Sequence, residues 1–140
     1  MGDLPADWAL PALTPFNEAW FTSGRLAVQR CAACATLQHP PEEPCHQCGG
    51  MEFTNEELAP RGTVHSYTVA HYAVNRALHD AVPYAVVLVS LDDAPHLRVV
   101  GNAPGVPIEE VRIGLPVTAY WEERVAEDGT VLRLPQWRPA

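Results

Sequence analysis

Four cysteines carry the most specific chemistry in this sequence. They read Cys31-Ala32-Ala33-Cys34, then ten residues, then Cys45-His46-Gln47-Cys48, and the chain has no others. Two Cys-x-x-Cys pairs joined by a short loop have the spacing of a tetrahedral zinc site, each pair forming a knuckle with sulfurs at about 2.3 Å from the ion. Iron suits the same soft, negative cage and stays open as an alternative. Two disulfides are the competing reading. It is disfavoured because the opening Met1-Gly2-Asp3-Leu4-Pro5 lacks the basic and apolar run of a secretory leader. A thioredoxin-type redox role needs one such motif at a helix start, not a matched pair. Four thiolates complete the metal's shell and leave no position for water or substrate, so the site is expected to be structural. Its binding free energy, about 10–16 kcal/mol for structural zinc, acts as folding energy. His39 and His46 lie inside the stretch. With the shell already full, they are expected to face solvent or donate to sulfur rather than to ligate.

The remaining inventory of reactive groups is thin. The chain has 140 residues, nine arginines and no lysine against seventeen acids, for a net charge of −8. Without lysine there is no Schiff base, no P-loop lysine and no lysine general base. The three serines, Ser23, Ser66 and Ser90, sit in no Gly-x-Ser-x-Gly elbow, and no Gly-x-Gly-x-x-Gly loop is present. His65, His71, His79 and His96, with Asp80, Asp92 and Asp93, are the acids and bases left. About 47% of residues are apolar, enough for a globular core, yet no run reaches membrane-spanning length. A cytoplasmic chain with no membrane segment is expected.

Three segments must position these groups, and the fold class is expected to be mainly β. Residues 1–24 read as an N-terminal helical arm, with Leu4, Pro5, Trp8, Leu10, Pro11 and Leu13 leading to a Thr14 cap and Pro15 at the first helical position. Phe16, Ala19 and Trp20 follow at helical spacing, and Gly24 closes the run. Aromatic anchors favour interfaces, so Trp8, Phe16, Trp20 and Phe21 are candidates for docking to a partner, against plain packing on their own domain. Residues 25–58 read as a zinc ribbon: a strand enters the first knuckle, Pro40, Pro41 and Pro44 stiffen the loop, Phe53 closes the apolar face, and Asn55-Glu56-Glu57 is a solvated link. Residues 59–140 are rich in β-branched and aromatic residues. Strands are expected near 62–72, 83–91, 96–101, 116–122 and 130–137, with Ile108, Val111 and Ile113 capping a barrel end. A long first strand that must bend, and an irregular cap before the fourth, describe a five-stranded OB-fold barrel.

These features together resemble a known family, which pairs a rubredoxin-like zinc ribbon with a C-terminal OB fold and is associated with acyl-CoA metabolism. The likeness rests on Trp20, Gly24-Arg25-Leu26, Gln29-Arg30-Cys31, the cysteine pairs and Pro40-Pro41 in the first half. Gly62-Thr63-Val64, Tyr67-Thr68-Val69, Pro83-Tyr84, Ile113-Gly114 and Leu134-Pro135 carry it through the second. It runs in order from about residue 16 to 138. One departure is Ala35, where many members carry glycine after the first pair. The resemblance implies an accessory chain of thiolase-fold enzymes: thiolases, acyltransferases, or aldolases acting on CoA thioesters of sterol side chains. The partner would supply the nucleophile or base, and this chain would stabilise it or help hold the acyl-CoA.

Three functions follow for comparison. As a subunit of an acyl-CoA enzyme, the chain would meet CoA phosphates with arginine, whose planar fork suits them. Arg25, Arg30, Arg61, Arg76 and Arg98 are available, and the loop at 70–82 adds His71, Tyr72 and His79. As a single-stranded nucleic-acid module it would stack bases on Tyr67, Tyr72 and Tyr84. A pI near 5.1 and scattered arginines argue against that, since such modules carry a basic footprint. As an enzyme by itself it would depend on the few histidines and aspartates named above.

Overall fold

The computed structural model describes residues 8–140; the expectations for Leu4 and Pro5 fall outside the described residues. The chain runs through α1 (Glu18–Thr22), β1 (Leu26–Cys31), β2 (Leu37–Gln38) and β3 (Phe53–Leu58). It continues as β4 (Arg61–Ala70), β5 (Tyr84–Leu91), β6 (Arg98–Asn102), β7 (Pro116–Val125) and β8 (Val131–Pro139). Two antiparallel sheets result, in the orders β2-β1-β3 and β6-β5-β4-β7-β8. No helix among the described residues is long and apolar enough to cross a membrane.

The arm is less helical than its sequence suggests. Thr14 does cap: its Oγ1 accepts from the Asn17 amide at 3.2 Å, and Asn17 Oδ1 accepts from the Thr14 amide at 2.7 Å. This is the reciprocal pairing of a capping box, with asparagine in the returning position. The helix then lasts only five residues before Gly24 turns the chain at φ 68°. Arg133 holds that end, donating from Nη1 to the Thr22 carbonyl at 2.7 Å. Prolines at 11 and 15 remove the donors that a longer helix would use.

The acidic stretch Asn55-Glu56-Glu57 is not a link but part of β3. It pairs with β1 over its whole length, from Leu26↔Leu58 to Cys31↔Phe53. Its acids meet arginines on and just before β1, Glu56 with Arg30 at 3.1 Å and Glu57 with Arg25, one residue ahead of the strand, at 3.4 Å. Such exposed pairs add only about 0–1 kcal/mol each. They do remove the like-charge penalty that makes the stretch read as a solvated loop.

The barrel solves its bending problem at His65. Register slips there by one residue, so Val64 faces Val89 while Tyr67 faces Val87. The extra residue is a bulge, after which odd positions, Tyr67 and Val69, stand opposite the inward Val87 and Ala85, with Tyr67 still exposed at this end of the strand. Along β5 the burial alternates strictly, with Ala85, Val87, Val89 and Leu91 inside. Of the expected barrel-end residues, Val111 is buried and Ile108 packs on the core, but Ile113 is exposed.

The five strands do not close into a complete barrel, because β6 and β8 share no ladder. The Gln136 side chain bridges the seam instead, while Asn102 ties β6 to its ladder partner β5. Gln136 Oε1 accepts from the Asn102 amide at 3.0 Å, and Asn102 Nδ2 donates to the Ala85 carbonyl at 2.8 Å. Trp137 fills the space beneath and is fully buried. A Cβ at Gly101 would sit 2.8 Å from its ring, so glycine is what lets β6 approach the indole. A partly open barrel is the usual OB form. One apolar core joins Trp20, Leu26, Val28 and Leu58 of the arm and ribbon to Val64, Val87 and Trp137 of the barrel.

Candidate metal centre

The four cysteine sulfurs converge. All lie within 4.8 Å of one another, with Cys31–Cys48 and Cys34–Cys45 Sγ separations of 3.6 Å. None is bridged, which sets the disulfide reading aside. Sulfurs at about 2.3 Å from a tetrahedral ion would stand about 3.8 Å apart, close to the observed spacing. The donor set therefore fits one dication with little adjustment.

Local backbone chemistry builds each knuckle. Ala35 N donates to Cys31 O and Gly49 N to Cys45 O, both at 2.9 Å, closing two equivalent turns. Amides then point at sulfur: Gln47 N at Cys45 and Gly50 N at Cys48, each at 3.4 Å. Gly50 is a matter of space, since a Cβ there would lie 3.3 Å from the sulfurs of both Cys31 and Cys48.

Electrostatics of the cluster favour bound cation. The Thr36 hydroxyl, 3.1 Å from Cys34 Sγ, and then the Thr36 amide draw the Cys34 thiol down to about 6. The amides of Cys34 and Ala33 lower Cys31. At Cys48 the Gly50 amide also acts to lower the thiol, but the neighbouring sulfurs of Cys31 and Cys34, with burial and Cys45, outweigh it and push it up to about 12. Four thiolates so close cannot all stay ionised without a positive charge between them.

Ala35 is the one described non-glycine residue with positive φ, at 64°. Its place at the first knuckle is matched by Gly49, at φ 75°, in the second. Left-handed backbone costs an L residue roughly 1–2 kcal/mol, partly offset by glycine's looser unfolded chain. Ala35→Gly is therefore expected to raise stability of the metal-loaded protein by about 0.5–1 kcal/mol, read from its urea midpoint. An unchanged or lowered midpoint would show that the knuckle carries no such strain.

A buried amide network supports the centre and was not visible in the sequence. Gln29 and Gln38 face each other across β1 and β2, with Gln38 Nε2 donating to Gln29 Oε1 at 3.0 Å. Gln29 also binds both backbone groups of Glu42, and Gln38 binds the Pro44 carbonyl and the His46 amide. The proline loop and second knuckle are thus tied to the first hairpin. Gln38→Leu would strand these groups and should cost about 2–3 kcal/mol in chemical unfolding of the metal-loaded chain. A neutral substitution would mean that water takes over the network. The only signal for it was glutamine at inward positions of otherwise apolar strands.

The other predicted residues are dispersed. His46 pairs with Glu42 at 2.8 Å on the surface, and His39 packs its ring against Trp20, 4.2 Å between centroids; neither is placed as a ligand. Trp20 is 4% exposed and belongs to this chain's own core, so the expectation that it docks outward gives way to internal packing. Trp8, Phe16 and Phe21 are half-buried. Arg30 is paired on the ribbon, Arg61 opens β4, and His71 and Arg76 are exposed in the β4–β5 connection. Arg98, on β6, lines a groove. The five do not gather at one site.

With this geometry in view, comparison with known proteins is informative. Residues 22–54 match the family model of the ChsH2 rubredoxin-like zinc ribbon domain, and residues 55–122 match that of the ChsH2 C-terminal OB-fold domain. A probable enoyl-CoA hydratase alpha subunit from Thermomonospora curvata is 41% identical over 133 residues, 93% of this chain. The chain spans only 39% of that relative's length. A DUF35 domain-containing scaffold protein from Methanocaldococcus jannaschii is 32% identical over 101 residues, covering 71% of this chain and 69% of the relative. A solved chain described as Ltp2-ChsH2(DUF35) aldolase is 40% identical with a TM-score of 0.76, covering 93% of this chain and 98% of that one. The chain therefore belongs to the ChsH2, or DUF35, family of rubredoxin-like zinc ribbons joined to an OB fold.

Proposed function

We propose that this chain is a non-catalytic subunit that binds and stabilises a thiolase-fold enzyme acting on acyl-CoA thioesters. Its partner would be a thiolase, an acyltransferase or a retro-aldolase, with cytoplasmic breakdown of sterol or other lipid side chains as the setting. The metal is zinc, in a structural role. The observation that carries this reading is the likeness, across nearly the whole of both chains, to a component of an aldolase whose description joins ChsH2(DUF35) to Ltp2. The distribution of reactive groups supports it. His65 on β4, His71 and His79 in the β4–β5 connection and His96 before β6 are all exposed, and the histidine–carboxylate contact His46–Glu42 lies at the ribbon surface. Arg61, His71 and Arg76 are the exposed candidates for reaching a CoA held chiefly by the partner.

The test is reconstitution. The metal-loaded chain is purified alone, and a thiolase-fold enzyme encoded in the same host is produced with and without it. The chain alone should turn over no acyl-CoA, and the partner should form a stoichiometric complex that is more soluble and more active. Turnover by the isolated chain, or recovery of nucleic acid in place of a thiolase-fold protein from the native host, overturns the assignment.

A further inference from the structure

The open seam of the barrel is flanked by two grooves. One, of about 470 Å³, runs over β5, β6 and the loop after β6, with walls that include Tyr84, Val86, Val106 and Ile108. The other, of about 460 Å³, lies toward the arm and ribbon, with Phe21, Leu134, His39 and Arg98. They share Trp8, Val100, Gly101, Asn102 and Gln136, so they are two halves of one trough across the seam. Val100 stands in the middle, 62% exposed, although it is an apolar residue on a central stretch of β6.

Charge is distributed unevenly along this trough. Among the described residues no carboxylate side chain lines either groove. The one permanent cation there among the described residues is Arg98, at the ribbon end. It forms no ion pair among the described residues; its Nη1 donates to the carbonyls of Pro95 and Leu97. Those two bonds fix the guanidinium and leave its remaining donors without a protein acceptor among the described residues. His39, at the same end, is held neutral by burial and adds no competing charge at pH 7.

We infer that the trough binds an amphipathic anion, an apolar chain or ring body along the β5–β6 half with its single anionic head at Arg98. The apolar half is large enough for a hydrocarbon body, since small-molecule sites run to about 300–1,000 Å³ and place few polar groups among many apolar ones. An anion is selected over a cation because the described walls offer one fixed positive charge and no carboxylate. The site depends on this chain alone and not on the partner assignment above.

Calorimetric titration of the metal-loaded full chain with dodecanoate, below its micelle concentration, tests the inference. Dodecanoate should bind with one-to-one stoichiometry, and dodecyltrimethylammonium, with the same tail and opposite head, at least tenfold more weakly. Arg98→Gln should weaken dodecanoate at least fivefold, and Val100→Glu, a change at an exposed position, should abolish binding with the melting temperature preserved. No binding by the parent chain overturns the inference, as does equal binding of the two head groups or indifference to both substitutions. Complex formation with the thiolase-fold partner, measured on the same variants, should be unchanged, so failure of either proposal is seen separately.

Discussion

Cys45→Ser is expected to purify without stoichiometric metal and with an unfolded ribbon. Cys45 is buried, stands 3.6 Å from Cys34 Sγ and holds the second knuckle through bonds with Gly49 and Gly50. Serine keeps the size but removes the soft thiolate that zinc prefers, and structural zinc contributes about 10–16 kcal/mol of apparent folding free energy. The shared core decides how far the damage spreads. Leu26, Val28 and Leu58 lie on ribbon strands yet pack in one cluster with Val64 and Trp137. Losing the ribbon uncovers that face, so the barrel should persist with a clearly lower melting temperature. Elemental analysis reads the first effect and amide exchange across β1–β3 reads the second. Full zinc content in the variant would refute a four-thiolate site, and an unmoved barrel transition would refute the shared core.

How much of this was legible beforehand follows from how local each signal is. The cysteine spacing needs only the chain within eighteen positions, and the four sulfurs it singled out do converge. Strand positions in the barrel were also local, carried by runs of β-branched and aromatic residues. What failed was pairwise. The sequence of Phe53–Leu58 is polar by itself and becomes a strand only beside β1. Trp20 reads as an interface anchor until His39, nineteen residues away in sequence, covers it. The open seam was invisible for the same reason, because it depends on which two strands fail to pair. Ala35 is the reverse case: a departure from the family's glycine, noticed as a single letter, marks a left-handed backbone.

Acid is expected to weaken the contact between arm and ribbon through His39. Its ring lies 4.2 Å from that of Trp20 at an angle of 43°, and its buried Nδ1 has no hydrogen-bond partner. Burial lowers its pKa from 6.5 to about 4. The folded form therefore binds the proton less readily than the unfolded chain. Stability from this residue is complete above pH 6.5 and falls as pH drops toward 4. Each pH unit in that window is worth about 1.4 kcal/mol, so the full loss approaches about 3 kcal/mol. A charged ring over indole would recover about 0.5–2 kcal/mol, but the tilt carries it off the ring face, and desolvation remains larger. The net loss should be about 1–3 kcal/mol. His39→Phe keeps a ring against Trp20 and removes both the titration and the unpaired nitrogen. Protonation of the cysteines also destabilises both proteins in acid, so the informative quantity is the difference between them. Urea unfolding of metal-loaded wild type and His39→Phe at pH 7.5, 5.5 and 4.5 should show the variant's advantage growing by that amount as pH falls. Parallel pH profiles, or a wild type that gains on the variant in acid, would mean that His39 carries its proton comfortably in the fold and that Trp20 is packed against an imidazolium.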